Sequence, residues 1–225
     1  MRTLHRKAAA IARHGAHVAR RLSGAALLAS GLAYCGVAHA DAVTRFRTFV
    51  NTTPSATAQF EQKVYERSGK LVQESRGRFA FLRPGRFTWT YTAPNPQRII
   101  GDGERVWIYD EDLNQVTVRR MAKALGSTPA ALLAGSAEVE QAFELTDAGE
   151  RDGLAWLDAR PLDKEAGFEK IQLGLGVAGV QAMELTDQFG QTTRLRFSNL
   201  TRNPRIEADA FRFVPPKGAD VLGEQ

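Results

Sequence analysis

The stretch FLRPGRFTWTY, residues 81–91, sets how the rest of the chain reads. Pro84-Gly85 marks a turn, and beyond it Phe87, Trp89 and Tyr91 recur at every second position, the spacing of one face of a β-strand. Phe79 and Phe81 keep the same alternation on the approach to the turn. Two aromatic strands are thus joined at a corner that also carries Arg83, a guanidinium that stays charged in proteins. A charge that cannot be shed, placed where so much apolar surface begins, demands partners.

Working outward, the period-two habit continues on both sides. ATAQFEQKVYE turns at Ser68-Gly69-Lys70 into LVQESRGRFAFLR. After RFTWTYT and Pro94-Asn95-Pro96 come QRIIG, ERVWIYD and LNQVTVR, with Asp102-Gly103 reading as a type I′ hairpin turn. The second half offers QAFELTD, LAWLDARP, GFEKIQLGL and VQAMELTD, a turn at 187–190, then TTRLRFSNL and FRFVPP. About a dozen strands at regular spacing, mostly in antiparallel hairpins, predict a mainly β fold, a barrel or strongly curved sheet. Helices are few. DAVTRFRTFVN places Val43, Phe46 and Val50 on one side with Phe49 beside them, an amphipathic helix that stops before Pro54. ALGSTPAALLAGSAEVEQ (124–141) predicts a short helix with Thr128 as N-cap and Pro129 in its first turn, between Gly126 and Gly135. Fewer than two turns cannot hold themselves by propensity, so packing must hold this one, and packing can be released.

The chain's net charge of +5 misleads. Residues 1–40 hold Arg2, Arg6, Lys7, Arg13, Arg20 and Arg21 and no acid, which leaves 24 bases against 25 acids in residues 41–225, a net charge of −1. No basic footprint for nucleic acid remains. The first forty residues parse as a cleaved secretory signal: a positive region ending at Arg20-Arg21, an apolar run, and Ala38-His39-Ala40 as the cleavage site. Arg20-Arg21 also has the look of a twin-arginine signal. Cys35 sits where a lipoprotein is lipidated, but the bulky Tyr34 precedes it. Cleavage after Ala40 leaves one domain, residues 41–225, with neither cysteine nor histidine. That removes disulfides, thiolate nucleophiles, Ser-His-Asp arrangements and histidine-ligated metal together. No catalytic residue, metal or cofactor is expected.

Other motifs dissolve on inspection. Gly174-Leu175-Gly176-Val177-Ala178-Gly179 matches a dinucleotide fingerprint, but a strand follows where a helix is required. Asp110-Glu111-Asp112-Leu113-Asn114 starts like a calcium loop, yet Gln115 and Met121 stand where glycine and glutamate are needed. Both read as turns. A glycosidase-like carboxylate pair stays open on composition alone. Trp89, Trp107 and Trp156, with Phe79 and Phe81, suggest a concave sheet lined by rings, and the small-residue helix offers a cover for a cavity that takes an apolar ligand.

FEQKV (60–64), LRPGRFTW (82–89), GDGERVWIYD (101–110), STPAALLAG (127–135) and FRFVPPKGADV (211–221) occur in an order and spacing that resemble the outer-membrane lipoprotein carrier (LolA) family across residues 41–225. The resemblance implies an incomplete antiparallel barrel closed by a helical lid over a hydrophobic cavity for the acyl chains of lipoproteins. It implies a monomeric periplasmic carrier, loaded by the inner-membrane ABC transporter LolCDE and unloaded onto the outer-membrane receptor LolB. It also implies that Arg83 latches the lid through backbone carbonyls around Val50 and Leu133-Ala134. By the same resemblance Phe87 would stand at the cavity mouth and Trp89 in the lining, to which the aromatic pattern adds Tyr91, Phe79, Phe81 and Trp107, and the lid helix Leu132. The related anchored receptor, which needs a lipidated Cys35, another periplasmic lipid-binding module, and a carboxylate-dependent hydrolase are the competing readings. Gly85-Arg86 and the alanines of the lid depart from the family's usual residues.

Overall fold

Alternating side chains give this chain one continuous sheet. In the computed structural model, which describes residues 41–121, 129–135, 139–163 and 166–223, twelve strands pair in the order β12-β6-β5-β4-β3-β2-β1-β11-β10-β9-β8-β7. The first half supplies β1 (Ser55–Tyr65), β2 (Leu71–Leu82), β3 (Arg86–Ala93), β4 (Gln97–Asp102), β5 (Arg105–Asp110) and β6 (Gln115–Arg120). The second supplies β7 (Phe143–Arg151), β8 (Leu154–Pro161), β9 (Phe168–Gly176), β10 (Gly179–Asp187), β11 (Thr192–Arg202) and β12 (Asp220–Gly223). All neighbours are antiparallel except β12, which runs parallel to β6. The sheet is strongly curved, as the alternation predicts, and open, the incomplete barrel that the resemblance implies.

Helix α1 (Ala42–Thr52) begins at Asp41, whose carboxylate accepts the Thr44 N–H at 2.7 Å. That is an N-cap, and it leaves Ala42, Phe46 and Phe49 buried beneath the helix. Helix α2 (Pro129–Ala134) and the single turn α3 (Val139–Ala142) follow β6. The proposed Thr128 cap and Gly126 lie outside the described residues. Helix α1 packs on β7 to β10, and α2 on β2 and β3, so together they roof the concave face. Beneath them runs one hydrophobic core built from Phe60, Phe79, Phe81, Phe87 and Trp89 on one side and Leu157, Leu173, Met183 and Leu195 on the other.

Three local expectations change. The Asp102-Gly103 hairpin exists, but it is not type I′: only Gly103 takes a left-handed φ, +105°. Asp102 instead closes the turn with its side chain, accepting the Glu104 and Arg105 N–H groups at 2.9 and 2.7 Å. The FRFVPP segment is not a strand. Pro215 and Pro216 have no N–H for a ladder, and the chain forms a 3-10 turn at Ala208–Phe211 before joining the sheet at β12. Phe211 is buried, with its turn against β3 and β4, and Phe213 packs on Trp107 and Tyr109 at 5.7 and 5.9 Å. Trp107 therefore lies on the convex face, not in the interior lining. Strand register fixes this, because Val106 and Ile108 belong to the concave core and Trp107 alternates with them. Trp156 is likewise convex, packed with Leu154 and Ala182 under the Arg151 guanidinium.

The Gly174–Gly179 stretch is the β9–β10 hairpin, and residues 110–115 are the β5–β6 turn, as the sequence suggests.

Candidate functional site

Arg83 sits one residue beyond β2 and gathers two separate pieces of chain onto its corner. Its backbone N–H donates to the Pro54 carbonyl at 2.8 Å. Its Nε donates to the Thr53 carbonyl at 3.0 Å, and Nη1 donates to the Gly135 carbonyl. Two residues on, the Gly85 N–H donates to the Ala134 carbonyl at 3.1 Å. The guanidinium lies over the Phe81 ring, 4.5 Å from its centroid, and 5.7 Å from that of Phe49. One fork thus ties the end of α1 to the end of α2.

The acceptors differ from those expected. Not Val50 and Leu133 but Thr53 and Gly135 receive the guanidinium, each just past the last helical residue, while Ala134 is held by Gly85. Carbonyls at a helix end are the ones no later amide claims, and those past the last turn open sideways to a lateral donor. Val50 packs its side chain against the core, and Leu133 is buried in it.

No carboxylate accompanies this cation in any described contact, and its Nη2 is enclosed without a partner. Burial pulls the Arg83 pKa down to about 10, so the group remains charged at neutral pH but is poorly solvated.

Next to this corner lies the aromatic interior. Phe87 and Trp89 are 0% and 2% exposed, and Tyr91 is half-buried with its hydroxyl donating to Gln62 Oε1 at 3.1 Å. Trp89 stacks within 4.5 Å of Phe60 and 4.9 Å of Phe79, measured between ring centroids. A hollow between Phe49, Phe79, Phe81, Leu133, Phe197 and Leu200 is about 10 Å³. That is barely the space of one water, against several hundred Å³ for an ordinary ligand site. Among the described residues, the protein's own rings fill this part of the interior. Leu132 belongs to α2, but its side chain lies outside the described set.

A second arginine escapes a reading of the sequence. From the end of β11, Arg202 donates Nε to Thr53 Oγ1 at 2.9 Å and Nη2 to Thr52 Oγ1 at 2.7 Å, and Asn203 donates to the Thr52 carbonyl at 3.0 Å. The tail of α1 is therefore fixed from β11 as well. Among the described residues, the hydrogen bonds from the β2–β3 corner that reach α2 are those of Arg83 and Gly85 alone. No local sequence pattern announces Arg202, because its partners lie some 150 residues away along the chain.

Comparison with known proteins gives a consistent result. Residues 51–214 match the family model described as outer membrane lipoprotein carrier protein LolA. A protein of Dechloromonas aromatica named outer-membrane lipoprotein carrier protein is 49% identical over 188 residues, covering 84% of this chain and 90% of that one. One of the same name from Methylobacillus flagellatus is 49% identical over 185 residues, with 82% and 90% covered. Among solved structures, an uncharacterized conserved protein from Thermus thermophilus aligns with a TM-score of 0.50 at 18% identity, over 80% of this chain and 95% of that one, a likeness of fold.

Proposed function

Since this chain belongs to the LolA family of outer membrane lipoprotein carrier proteins, we propose that it shelters the acyl chains of lipoproteins in its concave interior while they cross the periplasm. Residues 1–40 direct export and are removed after Ala40. The carrier works as a monomer, without cofactor and without making or breaking a covalent bond. It takes its cargo from the inner-membrane transporter LolCDE and yields it to the outer-membrane receptor LolB.

The observation that carries this reading is the Arg83 corner. A half-buried guanidinium bridging two helix ends is a strong local tie and a poor permanent one. Each charged hydrogen bond contributes roughly 1.5–3 kcal/mol, whereas each methylene taken out of water contributes about 0.8 kcal/mol. About two to four methylenes of acyl chain therefore offset the loss of one such bond. Opening also returns the guanidinium to water, which lowers its cost further. The empty lid stays shut, yet a long acyl chain can open it, and the interior can reclaim its closed form when the chain leaves.

Phe87, at the start of β3 beside the corner, is the residue a chain would meet first. Phe79, Phe81 and Trp89 line its path inward, and Tyr91 its far side. The test is direct. Membrane vesicles bearing LolCDE and a labelled lipoprotein, given ATP and this protein, should release a soluble one-to-one complex, and vesicles bearing LolB should then withdraw the label. Failure to form any soluble complex would sink the proposal.

A further inference from the structure

The three tryptophans of residues 41–225 differ in one respect. Trp107 donates its indole N–H to Asp102 Oδ2 at 2.8 Å, and Trp156 donates to the Arg151 carbonyl at 3.0 Å. Both belong to the convex face, and both are satisfied. Trp89 faces inward, is 2% exposed, and its Nε1 has no hydrogen-bond partner. An enclosed donor left without an acceptor costs about 1–3 kcal/mol, and native interiors hold few of them. Against Phe60 and Phe79 a phenyl ring would pack much as an indole does and would carry no such cost.

The surroundings of this donor are not wholly apolar. Tyr91, the next inward residue of β3, donates to Gln62, and Gln62 pairs in register with Ser75 across β1 and β2. Ser75 is buried and accepts the Gln73 amide at 3.1 Å. A row of polar groups thus borders the aromatic floor toward the strand ends remote from Arg83. Trp89 adjoins that row, its ring 6.5 Å from that of Tyr91, but no hydrogen bond of acceptable geometry joins the two. The indole N–H lies near the Tyr91 phenol without meeting it in a well-formed hydrogen bond, and its pull opposes part of the upward push that burial exerts on the phenol's pKa.

We infer that Trp89 Nε1 is a carbonyl-binding donor, which hydrogen-bonds an ester or amide carbonyl of an acyl group lodged in the interior. This rests on the carrier reading above and adds a chemical criterion to it. A cavity that only excludes water accepts any hydrocarbon of suitable length. A cavity holding one unpaired donor prefers acyl chains over alkyl chains, because only the former bring an acceptor, and it fixes how deep the carbonyl sits.

The experiment uses the protein purified from the periplasm and three synthetic lipopeptides built on one S-glyceryl cysteine peptide. The first carries ester and amide carbonyls, the second has ether links in place of the esters but keeps the amide, and the third has alkyl links throughout. In ¹⁵N–¹H spectra the Trp89 indole signal, assigned by its loss in Trp89→Phe or by elimination with Trp107→Phe and Trp156→Phe, should move downfield with the first lipopeptide and not with the third. The second reports whether the amide or an ester is the partner. The signals of Trp107 and Trp156 should stay in place. Trp89→Phe should weaken the first ligand about 3- to 10-fold more than it weakens the third. A Trp89 signal that ignores the carbonyl, or an equal loss for all three ligands, overturns the inference while leaving the carrier intact. If none of the three binds, the carrier reading falls and this inference falls with it.

Discussion

Phe87 and Gly101 face each other across β3 and β4, and the Phe87 ring occupies the space above the glycine. A Cβ at position 101 would lie 2.5 Å from Phe87 Cε1 and 2.9 Å from the Gly85 carbonyl oxygen. Backbone on one side and a fully buried ring on the other leave nowhere to move. Gly101→Ala should therefore cost about 1–3 kcal/mol of stability by overpacking, read from denaturant unfolding. A change within about 0.5 kcal/mol would mean that Phe87 shifts freely.

Arg83→Leu should fold, lose the tie between Thr53 and Gly135, and admit acyl chains more readily than the parent. Delivery should slow, because the closed state no longer competes with the cargo. Arg83→Lys should behave like the leucine variant, since an ammonium cannot fork between two carbonyls set apart in this way. Transfer to LolB-bearing vesicles at the parental rate in either variant would rule out the latch.

Trp107→Phe is expected to lower stability by about 1.5–3 kcal/mol and leave lipid binding unaltered, the reverse of the pattern for Trp89→Phe. Burial pushes the Asp102 carboxyl up, but the Trp107 indole and the Arg105 and Glu104 amides together hold it below its ordinary value. A carboxyl so depressed contributes stability that is present above the ordinary carboxylate pKa and fades as pH falls through the folded value. In Trp107→Phe this acid-side loss should shrink, as pH-dependent unfolding would reveal.

Tyr91 titrates in the opposite sense. Burial raises its phenol above 10.0, with Trp89 and Gln62 pulling part of the rise back. The folded state then holds this proton more tightly than the unfolded state does, so stability is full below pH 10.0 and declines as pH rises beyond it. Tyr91→Phe should flatten that alkaline decline. Parent and variant with identical alkaline profiles would show that the hydroxyl is not desolvated.

The ladder was open to reading because alternation is local: Phe87, Trp89 and Tyr91 need only their own spacing to declare one face. Which face lies inside is not local. In Val106-Trp107-Ile108 every residue is apolar, and only pairing with Ile99 and Ile100 on β4, themselves placed by Trp89 and Thr88, turns Trp107 outward. The same limit hid Arg202, whose partners Thr52 and Thr53 become neighbours only when β11 closes on β1. Arg83 could be singled out because its proline, its glycine and the aromatic run sit beside it in the chain. Its acceptors, set by where two helices end, could be placed only to within a few residues.

Around the hollow of about 10 Å³ between Phe49, Phe79 and Phe81, the resting interior is occupied by the protein's own rings, and these are rivals of any guest. Loading is then an exchange of one hydrocarbon for another, and affinity measures a difference between them. Engineering a tighter core, for instance by enlarging Ala58 beside that crevice, would yield a hardier protein and a worse vehicle.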